Sequence, residues 1–318
     1  MSNSHYPNPF ITQRADPHIW QHTDGHYYFI ASVPEYDRLE IRRSPTLEGL
    51  ATARPRVIWR KHASGPMSAL IWAPELHFIN GNWYIYFAAA PSDKIIKGLF
   101  QHRMFVLECS DADPLSGKWQ EKGRVKTPID SFSLDATHFS HDGKSYYLWA
   151  QKDPDIEGNS NLYLAEMSNP WTLKTAPVML SKPELEWETR GFSVNEGPAF
   201  ICHDDKLFIT YSASATDENY CIGLLWADLF ADISDPAQWH KSPIPVFATQ
   251  ADNRQFGPGH SSFTQNENGE DILVYHARNY TEIHGDPLYD PNRHTRLKTF
   301  TWDEDGMPVF GEPPADDA

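Results

Sequence analysis

The chain has 318 residues, with 27 Lys and Arg against 43 Asp and Glu, and the resulting formal charge of −16 is spread along it. That excludes a basic footprint for nucleic acid or an anionic membrane surface, and it suits a neutral or cationic partner. Three cysteines (Cys109, Cys202 and Cys221) with no CxxC pair give no sign of a disulfide framework or a zinc site.

The opening MSNSHYPNPFITQRADPHIW has neither a basic segment nor an apolar one of signal-peptide type, and no later run approaches the ~20 apolar residues of a membrane span. The expectation is a cytoplasmic protein, or a secreted one if a signal has been trimmed.

Twenty-five prolines and 18 glycines interrupt the chain too often for helices of three turns, so the composition is all-β. In chain order, the first apolar run, ADPHIW, leads through Asp24-Gly25 into YYFIAS. The second, IWAPELHF, leads through Asn80-Gly81 into NWYIYFAAA. SLDATHF then turns at Asp142-Gly143 into KSYYLWAQ, VNEGPAF turns at Asp204-Asp205 into KLFITYSAS, and GPGHSSF turns at Asn268-Gly269 into EDILVYHAR. Asp-Gly and Asn-Gly favour type I′ hairpins, because both central residues need positive φ. The five turns lie roughly 60 residues apart, and each is followed by a further strand and a second polar turn near a Trp or Pro. Regularly spaced hairpins also occur in β-sandwiches. Five copies in phase favour a five-bladed β-propeller, about four antiparallel strands per blade, as one domain over residues 1–318.

Counting back seven or eight residues from each turn reaches the innermost strand of each blade, which faces the central channel. The residues there are Asp16, Trp72, Asp135, Glu196 and His260. Taken singly, Asp16 before Pro is an ordinary turn former, Asp135 a solvated strand end, Glu196 a partner for loop amides, and Trp72 and His260 core residues. Their recurrence in phase predicts an axial site instead. The i, i+4 series His18, His22, His26 is read as no metal site, because it lies on a hairpin whose residues alternate faces.

Two carboxyl groups in one pocket suit glycoside hydrolysis, where one must be protonated to help the leaving group and the other ionised. A third nearby raises the acid's pKa by like-charge repulsion.

The motifs ADPHIW, WAPE, LDATHF, NEGPAF, GPGHSSF and RLKTFTWDEDGMPVFGEP resemble glycoside hydrolase family 43, whose members are five-bladed propellers cleaving arabinofuranosides and β-xylosides with inversion. The resemblance covers nearly the whole chain. It implies Asp16 as general base, Asp135 as modulator of the acid's pKa, Glu196 as general acid, and Arg278 as an arginine bonding the terminal sugar. Trp72 is read as a surface on which a sugar ring stacks. It further implies a hydrated metal ion, usually calcium, held through His260, with waters completing the shell. Asp135-Ala136-Thr137 departs from the common Asp-Pro-Ser, and Ala15 replaces the histidine that precedes the base in many endo-arabinanases. Ala15, the absence over these 318 residues of the added β-sandwich domain typical of the family's β-xylosidases, and the wording of WAPELHF and LDATHF favour an exo-acting α-L-arabinofuranosidase on arabinose-containing oligosaccharides. A β-xylosidase or bifunctional enzyme on xylose-containing ones is the alternative, and a non-catalytic sugar- or protein-binding propeller is the reading from another class.

Overall fold

The computed structural model describes residues 6–317. Blade one comprises β1 (Ala15–Gln21), β2 (Tyr27–Ser32), β3 (Arg38–Ser44) and β4 (Arg56–Arg60). Blade two comprises β5 (Ala69–Ile79), β6 (Asn82–Ala90), β7 (Arg103–Cys109) and β8 (Gln120–Arg124). Blade three runs β9 (Ser133–His141), β10 (Lys144–Gln151) and β11 (Asn161–Asn169), with β12 (Thr172–Leu173) and β13 (Val178–Ser181) both pairing with β11. Blade four is β14 (Asn195–His203), β15 (Lys206–Ala213), β16 (Cys221–Asp228) and β17 (His240–Lys241). Blade five is β18 (Phe256–Gln265), β19 (Asp271–Arg278) and β20 (His294–Thr299), followed by the pair β21 (Thr301–Trp302) and β22 (Pro308–Val309).

All strand pairing between named elements is antiparallel, and each blade winds outward from its first strand. Those first strands touch in a closed ring: β1 with β5, β5 with β9, β9 with β14, β14 with β18, and β18 with β1. The fold is a five-bladed β-propeller.

Four of the five hairpin turns divide into two kinds, while in the two-residue loop of blade four Asp204 alone is left-handed, with φ of 48°. Asn80-Gly81 (φ 49° and 89°) and Asp142-Gly143 (φ 48° and 71°) are two-residue loops with both centres left-handed, as type I′ requires. The turns of blades one and five depart from that expectation. There the chain folds back over three residues, with Gly25 N–H donating to the His22 carbonyl and Gly269 N–H to that of Asn266. Only the glycines take positive φ, 83° and 76°. One left-handed residue suffices in this longer loop, so Asp24 and Asn268 keep ordinary backbone and use their polar groups locally: the Asp24 carboxylate accepts from His26 N–H.

Blades pack face to face through aromatic side chains. Tyr28 meets Trp83 between blades one and two (centroids 4.9 Å), Phe139 stacks on Phe200 between three and four (3.9 Å), and His203 stacks on Trp302 between four and five (4.0 Å). Each fully buried aromatic removes enough surface from water to contribute about 4–6 kcal/mol of transfer free energy before entropy is counted. Ile19, Tyr27 and Phe29 meet Ile272, Val274 and Leu297 where blade five returns to blade one. The same seam is tied by backbone: Phe10 N–H donates to the Thr295 carbonyl, and Thr295 N–H to that of Ile11, both at 2.9 Å.

Candidate functional site

Every innermost strand carries a left-handed residue at an equivalent place near its head: Asp16, Ala73, Asp135, Gly197 and His260, with φ between 45° and 55°; β5 and β18 carry a second, Leu70 and Gly257. At each, the pairing register slips, so the strand is bulged there and the side chain is re-aimed. Asp and His tolerate this conformation better than most residues. The positional equivalence expected from the sequence is therefore corrected in two blades. Trp72 and Glu196 stand one residue before the bulge, and Ala73 and Gly197 occupy the position itself.

A cleft of about 140 Å³ lies over these heads, lined by Asp16, Trp72, Asp135, Glu196 and His260, one from each blade, together with Arg293. The Asp16 carboxylate accepts from Ser32 Oγ at 2.6 Å and lies 3.2 Å from His260 Nδ1, 3.5 Å from His276 Nδ1 and 3.6 Å from Arg293. Burial works to raise its pKa, but His260, Arg293, His276 and Ser32 together outweigh burial and hold it at about 2. Asp16 N–H also donates to His276 Nδ1 at 3.0 Å, which fixes that imidazole as a neutral acceptor.

Among the described residues, Glu196 makes no ion pair. Its Oε1 accepts from Tyr220 OH at 2.8 Å. Burial, reinforced by the charge on Asp16, pushes its carboxyl up to about 7, against the opposing pull of Tyr220 and Arg293. Asp135 accepts from Gly197 N–H at 3.0 Å and lies 3.7 Å from His260 Nδ1. Burial and the charges of Glu196 and Asp16 push it well above the carboxylate range. Asp135 and Glu196 thus share protons as a linked pair, while Asp16 stays ionised.

A second network anchors the strand that carries Glu196. The wholly buried Glu188 accepts from the neighbouring Asn195 side chain (3.0 Å), Tyr211 OH (2.8 Å), Lys241 Nζ (2.9 Å) and two backbone amides.

Trp72 lies on the wall of the cleft with one face stacked on His102 (3.8 Å) and its buried Nε1 without an acceptor among the described residues. Arg278 is placed elsewhere. Its three guanidinium nitrogens are taken by Asp290, the Thr216 carbonyl and the Pro287 carbonyl, so it clamps the loop beside the cleft instead of facing it. The arginine on the cleft wall is Arg293, buried and bonded to Tyr36 OH at 2.9 Å. Sequence reasoning missed Arg293 because it precedes β20, outside the turn-counted frame. Ser32 ends the second strand of its blade and Tyr220 immediately precedes the third of its own, places which that frame did not search. His276 sits on β19 two residues before Arg278, so alternation along the strand was the one signal for it.

His260 turns Nδ1 toward Asp16 and Asp135, and its protonation is linked with that of Glu75 and His18 deeper in the channel. Those deeper residues offer one carboxylate among several imidazoles. Calcium takes six to eight oxygens, so an ion held through His260 beside them would draw most of its shell from water, as the resemblance implies. The series His18, His22, His26 is split as alternation requires: His18 faces the channel, while His22 packs on Phe78 and Trp83.

Comparison with known proteins follows the same lines. The chain is 55% identical over 312 residues to a protein of Streptomyces avermitilis named extracellular exo-alpha-(1->5)-L-arabinofuranosidase, which covers 98% of this chain and 64% of that protein. The chain thus spans less than two thirds of that relative's length. A Streptomyces chartreusis protein of the same name is 54% identical over 283 residues, 89% of this chain and 85% of the relative. The crystal structure of an alpha-L-arabinofuranosidase from Lactobacillus brevis superposes with a TM-score of 0.97 at 59% identity, over 98% of both chains. A family model described as glycosyl hydrolases family 43 matches residues 6–308. With that match over nearly the whole chain, the protein belongs to glycosyl hydrolase family 43.

Proposed function

We propose that the protein is an inverting exo-α-L-arabinofuranosidase that releases terminal α-L-arabinofuranose from arabino-oligosaccharides or arabinan side chains. The observation that carries this reading is the separation of two carboxyl groups in one cleft, Asp16 held at about 2 and Glu196 pushed up to about 7. At neutral pH Asp16 is ready to take a proton from water while Glu196 retains one to give the leaving oxygen. The water attacks the anomeric carbon from the side of Asp16, the glycosidic bond breaks, and the Glu196 proton passes to the departing sugar's oxygen. Arg293 and His260 keep Asp16 ionised, and Asp135 beside Glu196 raises the cost of losing the second proton. Trp72, on the wall of the cleft, is placed to contact the sugar.

The names of the Streptomyces and Lactobacillus relatives support arabinose as the sugar, and the word extracellular in two of them favours an exported protein over the cytoplasmic one expected from the sequence. The test is a panel of α-1,5-arabino-oligosaccharides, arabinan, arabinoxylan and xylo-oligosaccharides with product analysis, plus proton NMR of the first-formed anomer. Arabinose alone, released from chain ends with inversion, is the expected result. Xylose released at a comparable rate would favour a xylosidase, and binding without turnover a sugar-binding propeller.

A further inference from the structure

Glu196 owes its aim to its backbone. Among the described residues its carboxyl takes a single hydrogen bond, from Tyr220 OH, and beyond it the ladder with β15 slips between Glu196 and Ala199. The residue before it, Asn195, is held through every polar group it has. Its N–H donates to the Ser160 carbonyl (3.1 Å), and its carbonyl accepts from Ser160 Oγ (2.9 Å). Its Oδ1 accepts from Ser181 Oγ (2.6 Å), and its Nδ2 donates to the Val194 carbonyl (2.9 Å) and to Glu188 Oε1 (3.0 Å). Glu188 is in turn gripped at 2.9 and 3.0 Å by Lys241 Nζ, from the outermost strand of the blade. Burial works to raise the pKa of Glu188, but the Glu184 and Leu185 amides and Lys241 outweigh burial and hold it below its ordinary value, so it is ionised. A chain of contacts thus crosses blade four from β17 to the residue that precedes Glu196.

We propose that Glu188 is a positioning residue for the general acid: acting through Asn195, it fixes the direction in which Glu196 presents its carboxyl to the leaving oxygen. A buried ion pair is a poor device for stability alone, because desolvating two charges offsets most of their attraction and apolar residues of similar volume often do as well. What it supplies here is direction. An amide held at both its oxygen and its nitrogen cannot rotate, and a strand fixed at Asn195 leaves the next side chain little freedom of aim. Proton transfer needs the donor within about 2.6–3.2 Å of the leaving oxygen, so a shift of about 1 Å at the carboxyl removes the acid's help. Among the described residues the network makes no contact with Asp16, so attack by water is left intact. The loss should therefore grow with the substrate's need for a proton. The inference rests on Glu196 being the acid, as proposed above.

The test measures kcat and KM on α-1,5-arabinobiose and on dinitrophenyl α-L-arabinofuranoside, for the full chain and its variants, at a temperature where thermal melting shows each to be folded. Glu188→Gln cannot accept from two backbone amides and three side-chain donors at once, and Asn195→Ala removes the link while leaving Glu188 its other donors. General-acid help is worth about 10²–10⁴-fold, so each variant is expected to lower kcat on arabinobiose at least about tenfold and on the dinitrophenyl glycoside less than about threefold. KM on arabinobiose should hold within about threefold, because binding is not what the network aims. Tyr211→Phe takes from Glu188 a donor that lies off the path to Glu196, and it is expected to lower Tm while leaving the ratio of the two rates unchanged. If Glu188→Gln does not fold, Asn195→Ala decides. Equal losses on both substrates, or no loss on either, would overturn the proposal. Glu196→Gln is run alongside: equal losses in that variant reject Glu196 as the acid, whereas discrimination by Glu196→Gln without discrimination by Glu188→Gln and Asn195→Ala leaves the hydrolysis standing and removes this role alone.

Discussion

Glu196 weakens the fold progressively as pH rises through the range where the unfolded chain has lost this proton and the folded chain still holds it, and the full penalty persists above that range. Unfolded, it ionises near 4.5, and folded at about 7. Between those values the folded chain holds the extra proton, so stability falls as pH rises from about 4.5 to about 7 and is level above. The gap corresponds to about 3 kcal/mol. Glu196→Gln cannot ionise, so it is expected to melt higher than the unaltered chain at pH 8 and at nearly the same temperature at pH 4, as thermal denaturation across pH would reveal. An offset equal at both pH values would trace the effect to packing instead. The same variant should lose activity steeply on poor leaving groups and far less on dinitrophenyl glycosides.

Tyr220 acts on the same carboxyl in the opposite sense. Its hydroxyl favours the ionised form of Glu196 while its ring lies parallel to His276. Tyr220→Phe keeps the ring and removes the donor, so Glu196 should hold its proton to higher pH. The alkaline limb of kcat/KM is expected to move up by about one pH unit, the worth of a hydrogen bond to a charged group. A limb that stays put or moves down would take Tyr220 out of the acid's environment.

Among the elements, the bulged innermost strands do the positioning. At Gly197 the bulge aims an N–H at Asp135 and brings the backbone against His260. A Cβ there would lie 3.1 Å from His260 Nδ1, on a backbone with φ of 52°. Gly197→Ala is expected to cost about 1–2 kcal/mol for the left-handed alanine alone. It should also lower kcat at least tenfold, by pushing His260 off Asp16 and Asp135. Chemical denaturation and steady-state kinetics on one preparation separate the two effects, and a stable variant with full kcat would show that the contact has slack.

For the whole molecule, the decisive contact is the closure between the two ends of the chain. Arg296, fully buried on β20, donates to the Ala277 carbonyl and to Asn8 Oδ1 and pairs with Asp316. Asn8 in turn bonds the Pro314 and Ala315 carbonyls. Arg296→Ala strands Asn8 Oδ1 and weakens the hold on Asp316, a loss of about 3–5 kcal/mol for one half of a buried pair. Tm is expected to drop by about 5–10 °C, with the active-site pH profile unchanged because the seam lies outside the cleft. A shifted profile would show that ring closure also tunes the site.

How much of this was legible in the chain depends on whether local rules were enough. Turn chemistry and apolar alternation are local, so the repeated Asp-Gly and Asn-Gly hairpins and the all-β composition already determined five blades. Equal spacing from those turns brought Asp16, Asp135, Glu196 and His260 to the channel. The folded ring decided what alternation and spacing do not encode. The one-residue offsets at Trp72 and Glu196 follow from where each strand bulges. Arg293 rather than Arg278 faces the cleft because the loop containing Pro287 and Asp290 captures Arg278. The split between Asp16 and Glu196 was decided there as well: charge states depend on through-space distance, and closure of the ring brings His260 and Arg293, far along the chain, within 3.2 and 3.6 Å of Asp16.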